Sequence, residues 1–466
     1  MASRRVTTPN RFPKSSSANT ERIANYLDET YVPIGIASQV ANEGCISGMS
    51  SHDTSGSISS QHSALSFNPS TTAIQYDISS TDSITKPMGQ LTCSPDHVPA
   101  KVTSQKHVMV CIPDQNKPKP TGSKRQTANA SDVAKAIQKC KDDGRDRLDV
   151  SKSQLTQLPA TVRELTNLRE LYLYQNKLVQ LPGEIGYLLE LQTLGVSENS
   201  LTSLPDSLGK LNKLRVLDLR HNKLNDIPAV VYQLKSLRTL YLRFNRIRQV
   251  GDEIGCLNAL TMLSLRENKI DSLPAAIGRL TKLIGLDVSY NHLKCVPIDI
   301  GNCKELQSLD LQHNELKSLP PSLGNLKQLS RLGLRYNQLE SLPSTLANCT
   351  QVQELNIESN NVLHLPEGLL SSLVNLSSIT LARNKFDAFP IGGPMQFRSV
   401  TSLSMELNQV KNIPYGIFSR ADSLTKLNMS INQLTSLPLD IKTWNKIVEL
   451  NLGTNQVRAH PVTMIY

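Results

Sequence analysis

A chain of 466 residues with a formal charge of +10 and a pI near 9.1 exceeds an ordinary single globular core, yet only 4% of it is aromatic and tryptophan occurs once. That balance excludes one large aromatic core and favours a narrow core that lengthens without thickening. The cations are interspersed with acids and form no dense Lys/Arg run, which argues against nucleic acid, and no apolar run reaches the roughly 18 residues of a membrane span.

Residues 1–129 are rich in Ser, Thr, Pro and Asn, with few clustered large apolar groups. Such a segment cannot bury enough surface to offset its ordering entropy, so a disordered arm is expected. The first residues carry charge but no apolar stretch of a secretory leader. Within the arm, Lys106-His107-Val108-Met109-Val110-Cys111-Ile112 alternates apolar positions in a polar context. An extended peptide of this kind can add a strand to a partner's sheet edge, placing Val108 and Val110 in adjacent pockets; a chance apolar pair is the plainer reading.

A capping helix is predicted over residues 130–143. Ser131 can cap it, Asp132 suits its positive end and Lys139 and Lys141 its negative end. Val133, Ile137 and Cys140 fall on one face, fit to cover the leucines of a following unit.

From residue 144 to 466 the chain repeats itself. Asn176, Asn199 and Asn222 recur at 199 − 176 = 23 and 222 − 199 = 23, inside the pattern L-x-x-L-x-L-x-x-N-x-L-x-x-L-P. This is a leucine-rich repeat: a short strand, an asparagine turn and a return segment make one coil. The column continues through Asn245, Asn268, Asn291, Asn314, Asn337 and Asn360, then steps by 24 to Asn384, Asn408 and Asn432, and by 23 to Asn455. Together with a first coil that has Ser153 in the asparagine position, about fourteen coils are expected. The fold class is an α/β solenoid, a horseshoe with a parallel concave sheet, since one coil cannot bury its leucines without neighbours. The asparagines should bond backbone in a ladder, and prolines such as Pro159, Pro182 and Pro205 should set the return segments. Phe389-Pro390-Ile391-Gly392-Gly393-Pro394 breaks the return pattern, predicting a bulge or a change of superhelical angle there. No polar closing coil follows Leu452, so the C-terminal end reads as uncapped.

Function is expected on the concave side, where residues between and just after the strand leucines are free of packing duty. The first free column holds Tyr172, Asp218, Tyr241, Asp287 and Asp310; the second holds Tyr174, Arg220, Arg243, Arg266, Arg335 and Glu358; the third holds His221, Phe244, Tyr290, His313 and Tyr336. Arginine beside exposed aromatics is the composition of a protein-binding surface. A solvated face with internal ladders such as Asp218–Arg243 is the alternative.

Enzyme chemistry has no footing: there is no phosphate-binding glycine loop, no kinase motif set, no H-E-x-x-H and no cysteine pair suited to zinc, so no cofactor and no metal are expected. The eight cysteines contain no C-x-x-C and form no cluster at a solenoid end, which points to a reducing compartment.

The motifs ELYLYQNKL, SENSLTSLPDSL, LDLRHNKL, TLYLRFNRI, LDLQHNEL, LGLRYNQL, FPIGGPMQF and IPYGIFSRA resemble the Shoc/Sur family of leucine-rich-repeat scaffolds of the Ras–Raf–MAP kinase pathway over roughly residues 131–456. The resemblance implies a noncatalytic scaffold, cytoplasmic with the nucleus as a second compartment. It implies GTP-loaded M-Ras and the type-1 protein phosphatase catalytic subunit on the concave face, with Raf kinase reached indirectly through its dephosphorylation. Tyr174, Asp218, Arg220, Arg243 and Arg266 would then lie on the partner groove, and Val108 and Val110 at the phosphatase-docking position. Two departures stand out: Val110 replaces an aromatic, and the family's solenoid continues for several coils past this terminus. The alternatives are a cytosolic repeat adaptor with another partner and an extracellular recognition receptor.

Overall fold

Each coil begins where two leucines flank an outward residue, as in Leu171-Tyr172-Leu173. Alternation sends both leucines inward, where they are wholly buried, and leaves Tyr172 on the outer face of the strand. In the computed structural model, which describes residues 130–458, these segments pair in parallel as one sheet in sequence order, β1 (Arg147–Asp149), β2 (Glu170–Tyr172), β3 (Thr193–Gly195), β4 (Val216–Asp218), β5 (Thr239–Tyr241), β6 (Met262–Ser264), β7 (Gly285–Asp287), β8 (Ser308–Asp310), β9 (Arg331–Gly333), β10 (Glu354–Asn356), β11 (Ser378–Thr380), β12 (Ser402–Ser404), β13 (Lys426–Asn428) and β14 (Glu449–Asn451). The register holds leucine against leucine, as Leu171 lies beside Leu194 and Leu194 beside Leu217. The arm expected over residues 1–129, with Val108 and Val110, lies outside the described residues.

After most turns the chain returns through a 3-10 turn introduced by proline, Gly251 taking that place before Asp252–Cys256. Pro182 (φ −72°, ψ 152°) precedes Gly183–Tyr187 and Pro205 (φ −72°, ψ 143°) precedes Asp206–Lys210. The ring holds φ where the first turn needs it and forfeits only an N–H that would have had no partner. Ile185, Leu188 and Leu191 then complete the buried row of that coil.

The asparagines hold coil to coil. Asn268 Nδ2 donates to Leu265 O at 2.9 Å in its own coil and to Leu242 O at 3.0 Å in the preceding one, while its Oδ1 accepts the Ile247 N–H at 3.0 Å. The same three partners recur down the column, so backbone groups buried by the turn are satisfied. In the first coil the Ser153 N–H donates to Asn176 Oδ1 at 3.0 Å, so Ser153 is served by the next coil's asparagine.

Helix α1 (Ala130–Asp142) buries Val133, Ile137 and Cys140 against the first coil. It starts one residue before Ser131, which therefore sits in the first turn and is not its cap. Where the period lengthens to 24, the return differs: α2 (Leu369–Ser372) replaces a 3-10 turn, and a 3-10 turn at Pro394–Phe397 follows the double glycine. Each of the three 24-residue coils carries a left-handed glycine on its return: Gly368 (φ 73°), Gly393 (φ 73°) and Gly416 (φ 71°). The extra residue is taken up at a conformation that costs an L side chain about 1–2 kcal/mol.

Candidate functional site: the sheet face

Strand alternation places Tyr172, Asp218, Tyr241, Asp287 and Asp310 on the outer face of the sheet, with Tyr174, Arg220, Arg243, Arg266 and Arg335 one alternation further on, and all are partly accessible. The third column is placed differently. His221 (φ 52°), Phe244 (φ 58°), Tyr290 (φ 54°), His313 (φ 53°) and Tyr336 (φ 55°) all have left-handed backbone, so alternation does not set their direction. The left-handed residue turns the chain into the asparagine bonds and lines up the rings of successive coils. Tyr290 stacks on His313 with centroids 4.0 Å apart, His313 on Tyr336 at 4.3 Å, and His221 on Phe244 at 4.2 Å. Burial lowers the proton affinity of His313, and the Arg335 and Arg266 charges add to it, so the ladder is held in its neutral form.

The arginines differ in partnership. Arg220 donates through Nε and Nη2 to Asp218 at 2.8 and 2.7 Å. Burial works against its charge, but the Asp218 hydrogen bonds and carboxylate outweigh it and leave Arg220 above its ordinary pKa. The Asp218–Arg243 ladder of the alternative reading is not formed among the described residues, where Asp218 is engaged by the residue two positions on. Among the described residues, the buried Arg243 Nε has no hydrogen-bond partner. Burial and the neighbouring Arg220 charge push it below the usual arginine range. Arg266 lies 4.2 Å over the Tyr290 ring and 3.6 Å from Glu267. The Arg243 guanidinium stands 5.8 Å over the Phe244 ring and, unlike its neighbours, faces no carboxylate within 4.0 Å among the described residues.

Beyond it the face turns acidic. Asp287 and Asp310 are register partners on β7 and β8. Burial and the Asp287 charge raise the Asp310 carboxyl to about 6, although it accepts from Gln312 N at 3.1 Å and Nε2 at 2.8 Å. Gly333 makes room: a Cβ there would lie 2.5 Å from Asp310 Oδ1. Arg335 donates to Gln312 Oε1, and Glu358 pairs with Arg383 at 3.4 Å.

At the first coils Tyr172 and Tyr174 meet edge to face at 5.8 Å, with Arg147 4.6 Å over Tyr172. Burial, then Glu170, pushes the Tyr172 hydroxyl up to about 12, so it serves as a hydrogen-bond donor. The face has a further column that the three columns read from the sequence leave out. Glu170, Thr193, Val216, Thr239, Met262 and Arg331 stand one alternation earlier, and the period of two from Tyr172 or Asp218 would have found them.

This geometry is shared with known proteins. The chain matches the leucine-rich repeat region family over residues 148–243 and 214–459, and it belongs to the leucine-rich-repeat proteins. Among curated sequences it is similar to the leucine-rich repeat protein soc-2 homolog of Drosophila pseudoobscura pseudoobscura, 58% identical over 76 residues, or 16% of this chain and 12% of that one. The soc-2 homolog of Nematostella vectensis is 55% identical over 75 residues, 16% of this chain and 13% of that one. These matched stretches thus take in about an eighth of the relatives' own length. Among solved structures, a leucine-rich-repeat protein of Leptospira interrogans superimposes with a TM-score of 0.62 at 30% identity, covering 70% of this chain and 88% of that one. The plant peptide hormone receptor RGFR1, solved in complex with RGF2, gives 0.56 at 28% identity over 67% and 55% of the two chains.

Proposed function

We propose that this chain is a noncatalytic scaffold that takes GTP-loaded M-Ras and the catalytic subunit of type-1 protein phosphatase on its sheet face, promoting Raf dephosphorylation and MAP kinase signalling. The observation that carries the reading is the row Arg220, Arg243 and Arg266 alongside the ring ladder, and the partial similarity to soc-2 homologues supports it. Desolvated arginine and preordered aromatics concentrate binding energy, and a rigid sheet spends little entropy on association. The acidic part of the face, from Asp287 to Glu358, offers a second partner the opposite charge. In this reading Val108 and Val110 add an extended strand to the phosphatase.

The test is capture of M-Ras, loaded with GTP or GDP, together with the phosphatase by the full chain. Recovery should favour GTP and should fall at least about tenfold with Arg220→Glu/Arg243→Glu, each lost charge pair being worth a kcal/mol or more. Equal recovery in both nucleotide states would remove the nucleotide-sensing role.

A further inference from the structure

The lateral edge at which strands β2 to β5 begin carries three arginines in its row. Backbone hydrogen bonds of 2.8 Å run from Gln192 N to Arg169 O, from Arg215 N to Gln192 O and from Arg238 N to Arg215 O, locking these residues into one row. Arg169, Arg215 and Arg238 are exposed, and so are Lys213 and Lys235 beside them. Two of the five cations have acidic neighbours: Lys213 pairs with Glu190 at 2.6 Å, and Arg169 stands 3.9 Å from Asp146. Five cations against those two acids leave 5 − 2 = +3 on this edge. Among the described residues, Arg215, Lys235 and Arg238 form no ion pair within 4.0 Å. The next coil carries Asn258, Ala259 and Thr261 at the equivalent positions, which interrupts the row; beyond it Lys282, Lys304 and Lys327 stand at single equivalent positions, without the arginines. Amid the cations two apolar groups are exposed, Leu189 at 54% and Tyr187 at 60%.

We infer that this edge is a docking surface for an anionic lipid bilayer. Cations on long stems around an exposed leucine and tyrosine match a headgroup layer, where charge is spread over a plane and the apolar groups reach the acyl boundary. An acidic peptide would need a groove with fixed donors. The recess nearest the row is lined by Asp146 and Glu190 as well as by Arg145, Arg147 and Arg169, and all three arginines already face an acid: Asp143, Glu170 and Asp146. It does not offer an acidic side chain a free arginine fork. The edge is distinct from the sheet face, so a membrane and a partner on that face do not compete for the same residues.

The test is co-sedimentation of the full chain with phosphatidylcholine vesicles, with and without phosphatidylserine, at low and high salt. Binding should require phosphatidylserine and weaken with salt. Arg215→Glu/Arg238→Glu should lower it more than about tenfold, at roughly 1 kcal/mol per cation near the surface. Arg215→Gln/Arg238→Gln should fall between, and Arg398→Glu/Arg420→Glu, exposed elsewhere on the solenoid, should bind as the parent does. Circular dichroism of each variant reads the fold independently. Binding without phosphatidylserine, an unchanged Arg215→Glu/Arg238→Glu variant, or stoichiometric capture of a polyglutamate peptide by a chain that ignores vesicles would overturn the assignment.

Discussion

Asp218 and Arg220, two positions apart in one coil, close a bidentate ion pair on the sheet face at 2.8 and 2.7 Å, and both side chains are only 14% exposed. The pair withdraws Asp218 from Arg243, so an internal salt bridge in one coil is what leaves the next coil's guanidinium short of a partner. Asp218→Ala should destabilise the chain by about 1–3 kcal/mol, since it strands a largely buried cation, and the double variant with Arg220→Ala should recover part of that loss. Denaturant unfolding of the two singles and the double reads the coupling. Strictly additive losses would mean that the pair is not a unit.

The asparagine column makes a second prediction. Asn268→Ala deletes three buried hydrogen bonds at once and strands the Ile247 N–H, while Leu242 O and Leu265 O keep the amides of Asn245 and Asn291. A loss of about 2–4 kcal/mol is expected, with amide exchange rising first at Ile247. Asn225, exposed on the segment after Asn222, is the control, and its alanine variant should change stability by less than about 0.5 kcal/mol.

Gly393 is the third case. At φ 73° and ψ −176° it occupies a region that is essentially glycine's alone, and a Cβ there would meet nothing within 4 Å. Gly393→Ala therefore isolates backbone strain from crowding and should cost about 1–3 kcal/mol, read as a fall in Tm. An unchanged Tm would show that the 24-residue return relaxes without left-handed backbone.

Asp310 predicts a pH dependence. Its folded carboxyl titrates at about 6, above the ordinary 3.8. A raised carboxyl stabilises the fold most below the ordinary value, and this contribution is lost as pH rises from about 4 through 6. Asp310→Asn removes the burial and Asp287 penalty. It should therefore raise the denaturant midpoint at pH 7 and leave it nearly unchanged at pH 4, with a gain of at most about 2–3 kcal/mol before solvent screening. A larger gain at pH 4 than at pH 7 would contradict the assignment.

Much of the fold could be read from spacing. The 23-residue asparagine column and the L-x-x-L-x-L triplets specify a parallel solenoid, because one coil's leucines and backbone groups can be satisfied only by an identical neighbour. The same periodicity told which residues leave the core, and so which columns, Arg220 to Arg266 among them, share the sheet face. It named the third column but not its stacking. His313 and Tyr336 stack because their backbone is left-handed, and a period of two carries no information about a residue outside the strand.

By itself, then, the order of residues determined the repeat, the inward leucines and the chemistry of the exposed columns, since these follow from covalent periodicity and from water's exclusion of apolar surface. Only the tertiary structure decided who pairs with whom: that Asp218 takes Arg220, that Arg243 is left short of a partner, that Asp310 sits against Asp287 over Gly333, and that Arg215 and Arg238 line one edge with Leu189. Those outcomes depend on side-chain reach, burial and local dielectric, which vary from coil to coil although the backbone repeats.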